Sequence, residues 1–177
     1  MAIYSNEPFS RIPFNNDPSF WESNSDSCSC NCGSYALNIT EWYYPYPERQ
    51  FFEAWITEMA EDGISMEKMR DIIFYNNIYN IERQFEDYLI PIESPRDVVN
   101  CVDVIAFRIS LTGTPKHPLY DFHFKLRHDG KWTEKMGFDD VRECELKPDE
   151  PWYEDEDLIY NGPIKYFSIN PFAKKRK

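Results

Sequence analysis

Asp129-Gly130 is the pair that most constrains this chain. Asp-Gly is a strong signal for a two-residue hairpin turn, because that turn needs backbone angles that glycine adopts freely. Tyr120 to Arg127 and Lys131 to Met136 flank it as the two arms. Counting outward from the turn, Arg127 faces Trp132, Lys125 faces Glu134 and His123 faces Met136. Side chains alternate along a strand, so His123 and Glu134 fall on one face as diagonal neighbours. A carboxylate at that distance can accept a hydrogen bond from the imidazole and fix its tautomer.

The rest of the chain predicts helices before the sheet. Asn31 is a candidate N-cap for a helix from Cys32 to about Trp42, which Tyr43-Tyr44-Pro45-Tyr46-Pro47 would break. A second helix is expected from Pro47 to Asp62-Gly63, burying Phe51, Trp55 and Met59. A third starts at Ser65, with a bend or break at Asn76-Asn77, before Ile81, Phe85, Tyr88 and Leu89 resume the apolar stripe. Pro91 and Pro95 close the helical half. Cys101 to Leu111 reads as a buried strand, and Ile164 to Ile169 as a later one. The expected class is α+β, with N-terminal helices on a mostly antiparallel sheet. Residues 1–27 read as an extended arm and residues 28–177 as one α+β domain.

Charge narrows the partners. The 177 residues carry a formal net charge of −12, which argues against direct nucleic-acid binding, since a phosphate backbone needs a basic surface. No apolar run is long enough to span a membrane. Acidic residues concentrate from Asp139 to Asp157 and include Glu154-Asp155-Glu156-Asp157, read as a solvated loop or a partner-binding surface. Five cysteines, an odd number, do not make a complete disulfide framework. Cys28, Cys30 and Cys32 alternate, but no second Cys/His pair stands at a zinc spacing, so no metal and no other cofactor is expected.

Cys32 is the candidate nucleophile. In the first turn of a helix, free N–H groups and the helix dipole favour its thiolate. His123 is the candidate base, with Glu134 holding the imidazole. Gly33 beside the thiol reads as room for a substrate. His117, bracketed by prolines in a loop, is a second choice for the base, and His128 beside the turn reads as exposed.

Three segments carry a resemblance: Asn31-Cys32-Gly33-Ser34-Tyr35-Ala36-Leu37, Asp121-Phe122-His123-Phe124, and Asp129-Gly130-Lys131-Trp132-Thr133-Glu134-Lys135-Met136-Gly137. Their order is similar to bacterial and phage proteins with an NC-x-x-YAL motif, a DYHFYR motif and a DG-x-W-S-H-K-x-G ending. Those proteins look like relatives of the papain-like and NlpC-like cysteine hydrolases. The resemblance implies that fold and hydrolysis of an amide or peptide bond by a thiol. The substrate would be a peptide or protein, with a host protein among the candidates. A cytoplasmic location is expected, in the host if the chain is phage-encoded. Glu134 stands where the pattern has histidine, and Gly33 where it has an aromatic residue. The rival expectation is a noncatalytic acidic binding or inhibitor protein that keeps the fold.

Overall fold

The computed structural model describes residues 4–8, 31–39, 42–46, 48–137, 141–153, 158–170, 172 and 174–176. Helices precede most of an antiparallel sheet. They are α1 (Cys32–Leu37), α2 (Arg49–Glu61) and α3 (Met66–Gln84). After β1 (Tyr4–Pro8), the strands are β2 (Leu89–Ile92), β3 (Val104–Thr114), β4 (His117–His128), β5 (Lys131–Lys135), β6 (Val141–Glu143), β7 (Trp152–Tyr153), β8 (Ile159–Tyr160), β9 (Lys165–Ile169) and β10 (Lys174–Arg176). The main sheet runs β2-β9-β3-β4-β5-β6, with every neighbour antiparallel.

The hairpin at Asp129-Gly130 forms in the expected register, with Arg127 opposite Trp132 and Lys125 opposite Glu134. Both turn residues have positive φ, 47° and 78°, the type I′ geometry that the Asp-Gly pair suits. β3 and β4 make a second hairpin through Pro115-Lys116, with Thr114 opposite His117. The segment around His117, expected as a loop, is therefore a tight turn.

Several boundaries differ from expectation for local reasons. The first helix stops at Leu37, because Asn38 takes the left-handed conformation (φ 56°) and its N–H closes the last turn. In α2 the buried stripe is Phe52, Ile56 and Met59, while Phe51 is 65% exposed; the apolar face is rotated by one residue at its start. α3 runs unbroken past Asn76-Asn77, since buried Asn77 finds a partner in the Tyr120 hydroxyl. Leu89 to Ile92 pairs with β9 rather than extending the helical stripe. Pro91 is tolerated there because β2 is an edge strand.

Strand alternation gives the sheet two unlike faces. Ile105, Phe107, Ile109, Phe122, Phe124 and Leu126 join the helices in one apolar core. The opposite face carries Ala106, Arg108, His123, Lys125 and Glu134, and Trp152 and Tyr160 pack over it. Among the described residues no helix is long and apolar enough to cross a membrane.

Candidate functional site

Asn31 builds the start of α1. Its Oδ1 accepts from the Ser34 N–H at 3.0 Å and from the Ser34 hydroxyl at 2.9 Å. The Ser34 hydroxyl accepts from the Asn31 N–H at 3.4 Å, completing a capping box. The same amide side chain donates to the Tyr43 carbonyl at 2.7 Å, tying the helix to the aromatic segment 42–46. Tyr35 reaches across to Thr133 at 2.7 Å, which seats α1 against β5.

Cys32 occupies the first turn, as expected, and is buried. Its Sγ donates to the Phe122 carbonyl at 3.7 Å. Gly33 does not open room for a substrate. A Cβ there would stand 2.8 Å from a ring carbon of Tyr43 and 3.3 Å from Phe124, so the missing side chain admits the protein's own rings. Gly33→Ala should therefore destabilise. Alanine gains about 1 kcal/mol of helix propensity, but overpacking costs about 1–3 kcal/mol. The clash wins because Tyr43 is already wedged edge-on against Phe85 and Phe124. A lower urea midpoint at unchanged slope would show it.

His123 and Glu134 are brought together. His123 Nε2 lies 3.1 Å from Glu134 Oε2, and both residues are buried. Lys125 Nζ lies 3.3 Å from the same oxygen, and Arg142 donates to the other at 3.0 Å. Burial pushes the Glu134 carboxyl up, but the His123 hydrogen bond and the charges of His123, Lys125 and Arg142 outweigh it and hold it at about 2.

The thiol is not brought to this pair. Cys32 packs in the helix-side core with Phe122 and Phe124. The intervening residue, His123, turns its ring the other way, 5.3 Å from the Tyr160 ring and 6.2 Å from Trp152. Sulfur and imidazole thus pack with different groups, the thiol with Phe122 and Phe124 and the imidazole with Trp152 and Tyr160.

On that far face the charges are engaged by the segment above them. Arg108 donates to the carbonyls of Gly162 and Glu150, each at 2.6 Å, and Lys125 to that of Glu145 at 3.1 Å. Lys125 Nζ also lies 4.8 Å from the Trp152 ring centroid, a cation–π distance. Tyr160 donates to Asp121 at 2.8 Å. Cys144 is held protonated, its thiol pushed up to about 12 by burial and then by Glu134. Of the other histidines, His128 is half-buried and bonded to Asp103 at 2.7 Å, while His117 lies exposed at the β3–β4 tip.

A groove of about 620 Å³ opens on the helix side between segment 42–57 and the start of β4. Trp42, Tyr44, Tyr46, Phe52, Tyr120 and Phe122 line it, with Arg49, Glu53 and Lys116 at its rim. Sequence reasoning missed it by treating 43–47 only as a helix breaker. The available signal was the alternation of Trp42, Tyr44 and Tyr46, whose rings neighbour one another in turn. Among the described residues no group of three or more His, Cys, Asp or Glu could hold a metal. Cys28, Cys30 and the acidic run 154–157 lie outside the described residues. In comparisons with known proteins, the chain matches no family model, no curated protein and no solved structure.

Proposed function

We propose that this chain is a noncatalytic binding protein that retains the helix-then-sheet order of the papain-like or NlpC-like hydrolases it resembles in sequence. One observation carries the reading: Cys32 and the His123–Glu134 pair face opposite sides of the sheet. A thiol nucleophile needs its base within hydrogen-bond reach of the sulfur. Here the imidazole is bonded to Glu134, while the thiol donates to a main-chain carbonyl. The aromatic groove supplies a concave surface for a partner.

The hydrolase reading keeps one observation in its favour. Phe122, whose carbonyl accepts from the thiol, also lines the groove, so a bound chain would run toward Cys32.

Alkylation of folded protein at a series of pH values separates the two readings. Of the described cysteines, exposed Cys101 should label first, and Cys32 slowly, with a rate indifferent to His123→Ala. Rapid labelling of Cys32 well below the ordinary thiol pKa of about 8.5, lost in His123→Ala, would restore the hydrolase.

A further inference from the structure

We infer that the groove between segment 42–57 and the start of β4 binds a neutral sugar, whose pyranose rings lie on Trp42 and Tyr44 while its hydroxyls meet the polar rim. This ligand class deepens the binding reading and rests on it.

The rings that line the groove divide by burial. Tyr46, Phe52 and Phe122 are buried. Tyr46 stacks on Phe52 with centroids 4.3 Å apart and planes 6° apart, and Phe122 meets Tyr46 edge-on at 6.4 Å. Trp42 and Tyr44 are only half-buried, so part of each ring is open to a ligand. Their centroids are 6.2 Å apart and their planes are tilted by 33°. Tyr44 leans on the buried set, 5.3 Å from Tyr46 and edge-on to Phe122 at 6.1 Å. The buried rings hold the platform in place, so binding has little left to order. An aromatic face is the negative pole of its quadrupole. The C–H side of a pyranose is apolar and weakly positive, and it suits such a face.

The polar lining selects hydroxyls over charge. Arg49 and Lys116 bring two cations and Glu53 and Asp121 two anions; with His117 neutral, the groove is balanced. Arg49 already pairs with Glu53 at 2.7 Å, and Asp121 accepts from Tyr160 at 2.8 Å. An anionic ligand would therefore meet Lys116 as its main attraction, against a chain that carries −12. A quaternary ammonium would suit the rings but would share the groove with Arg49 and Lys116. A hydroxyl both donates and accepts. One polyol can thus accept from Arg49 and Lys116 and donate to Glu53 without bringing charge of its own. The volume of about 620 Å³ falls within the usual range of small-ligand sites, about 300–1,000 Å³.

The test uses the whole chain and a printed array of neutral, sialylated and amine-bearing glycans. Neutral oligosaccharides should be retained, and the strongest is then titrated by calorimetry. Trp42→Ala and Tyr44→Ala should each weaken it at least tenfold, and Trp42→Phe less. Glu53→Ala guards against a folding defect, because the Arg49–Glu53 pair is exposed and contributes little stability. It should weaken binding several-fold while the urea midpoint stays in place. Raised salt should leave the affinity within about twofold, since no ionic contact carries it. No retention of a neutral glycan, retention of sialylated or amine-bearing glycans alone, tighter binding of choline, or an affinity indifferent to Trp42→Ala and Tyr44→Ala would each overturn the inference. The two proposals fail separately. Rapid, His123-dependent labelling of Cys32 overturns the binding reading and leaves a Trp42-dependent sugar site standing, whereas an inert Cys32 with no sugar retained overturns only the sugar site.

Discussion

Replacing Glu134 with alanine should cost about 3–5 kcal/mol at neutral pH, the usual effect of removing one partner from a buried ion pair. His123 is 2% exposed and Lys125 6%, so neither regains water when the carboxylate goes. Arg142 is more than half exposed and adds little. The pH dependence has a definite sign. The Glu134 pKa falls from 4.5 to about 2 on folding, so its contribution is present above about 4.5 and is lost as pH falls toward 2. The stability gap between the wild type and Glu134→Ala should be widest near neutrality and close progressively below pH 4.5. Glu134→Gln, which keeps the volume and removes the charge, separates the ionic part from packing. Urea midpoints at several pH values provide the measurement. A gap that stayed constant with pH would mean that the carboxylate is not ionically engaged.

Phe124→Ala should be as damaging, through a different mechanism. Phe124 is fully buried in β4. Its ring lies 4.7 Å from that of Phe107 and 6.0 Å from those of Phe122 and Tyr43. Truncating a buried phenylalanine costs about 3–5 kcal/mol, through lost transfer energy plus the cavity left behind. Collapse is limited here because β3, β4 and the cap of α1 hold the wall on every side. Phe124→Leu should cost less than about 1.5 kcal/mol. Unlike the Glu134 variants, both should show a loss that does not change with pH.

Short-range rules were legible in the sequence, and the side of the sheet on which each group ends was not. Asp129-Gly130 yielded the turn, the register and the His123–Glu134 contact, because strand parity is a counting argument. Asn31 and Ser65 were legible as caps for the same reason: a cap acts within three residues. Cys32 and Phe122 are 90 residues apart. Whether the helix sits on the face of Phe122 or of His123 depends on which strand face is apolar enough to receive it. Phe122, Phe124 and Leu126 decide that against His123, Lys125 and Arg127. The burial of Glu134 was illegible because residues 141–153 and 158–164, which supply the cover on that face, have no strong periodicity of their own. The aromatic groove was visible only as a cluster of rings whose partner strand lay far along the chain.

The placement of β9 bears on how the chain is made. β9 sits between β2 and β3, and β2 has no other neighbour in the main sheet. Its five residues leave the ribosome well after both strands that await it. Until then β2 and the inner edge of β3 are open to pairing with other nascent chains, a hazard common to long-range sheets. Pro91 removes one donor from β2 during that interval. The helices and the β3–β4–β5 hairpins can assemble as they emerge, and insertion of residues 165–169 is the step that commits the sheet.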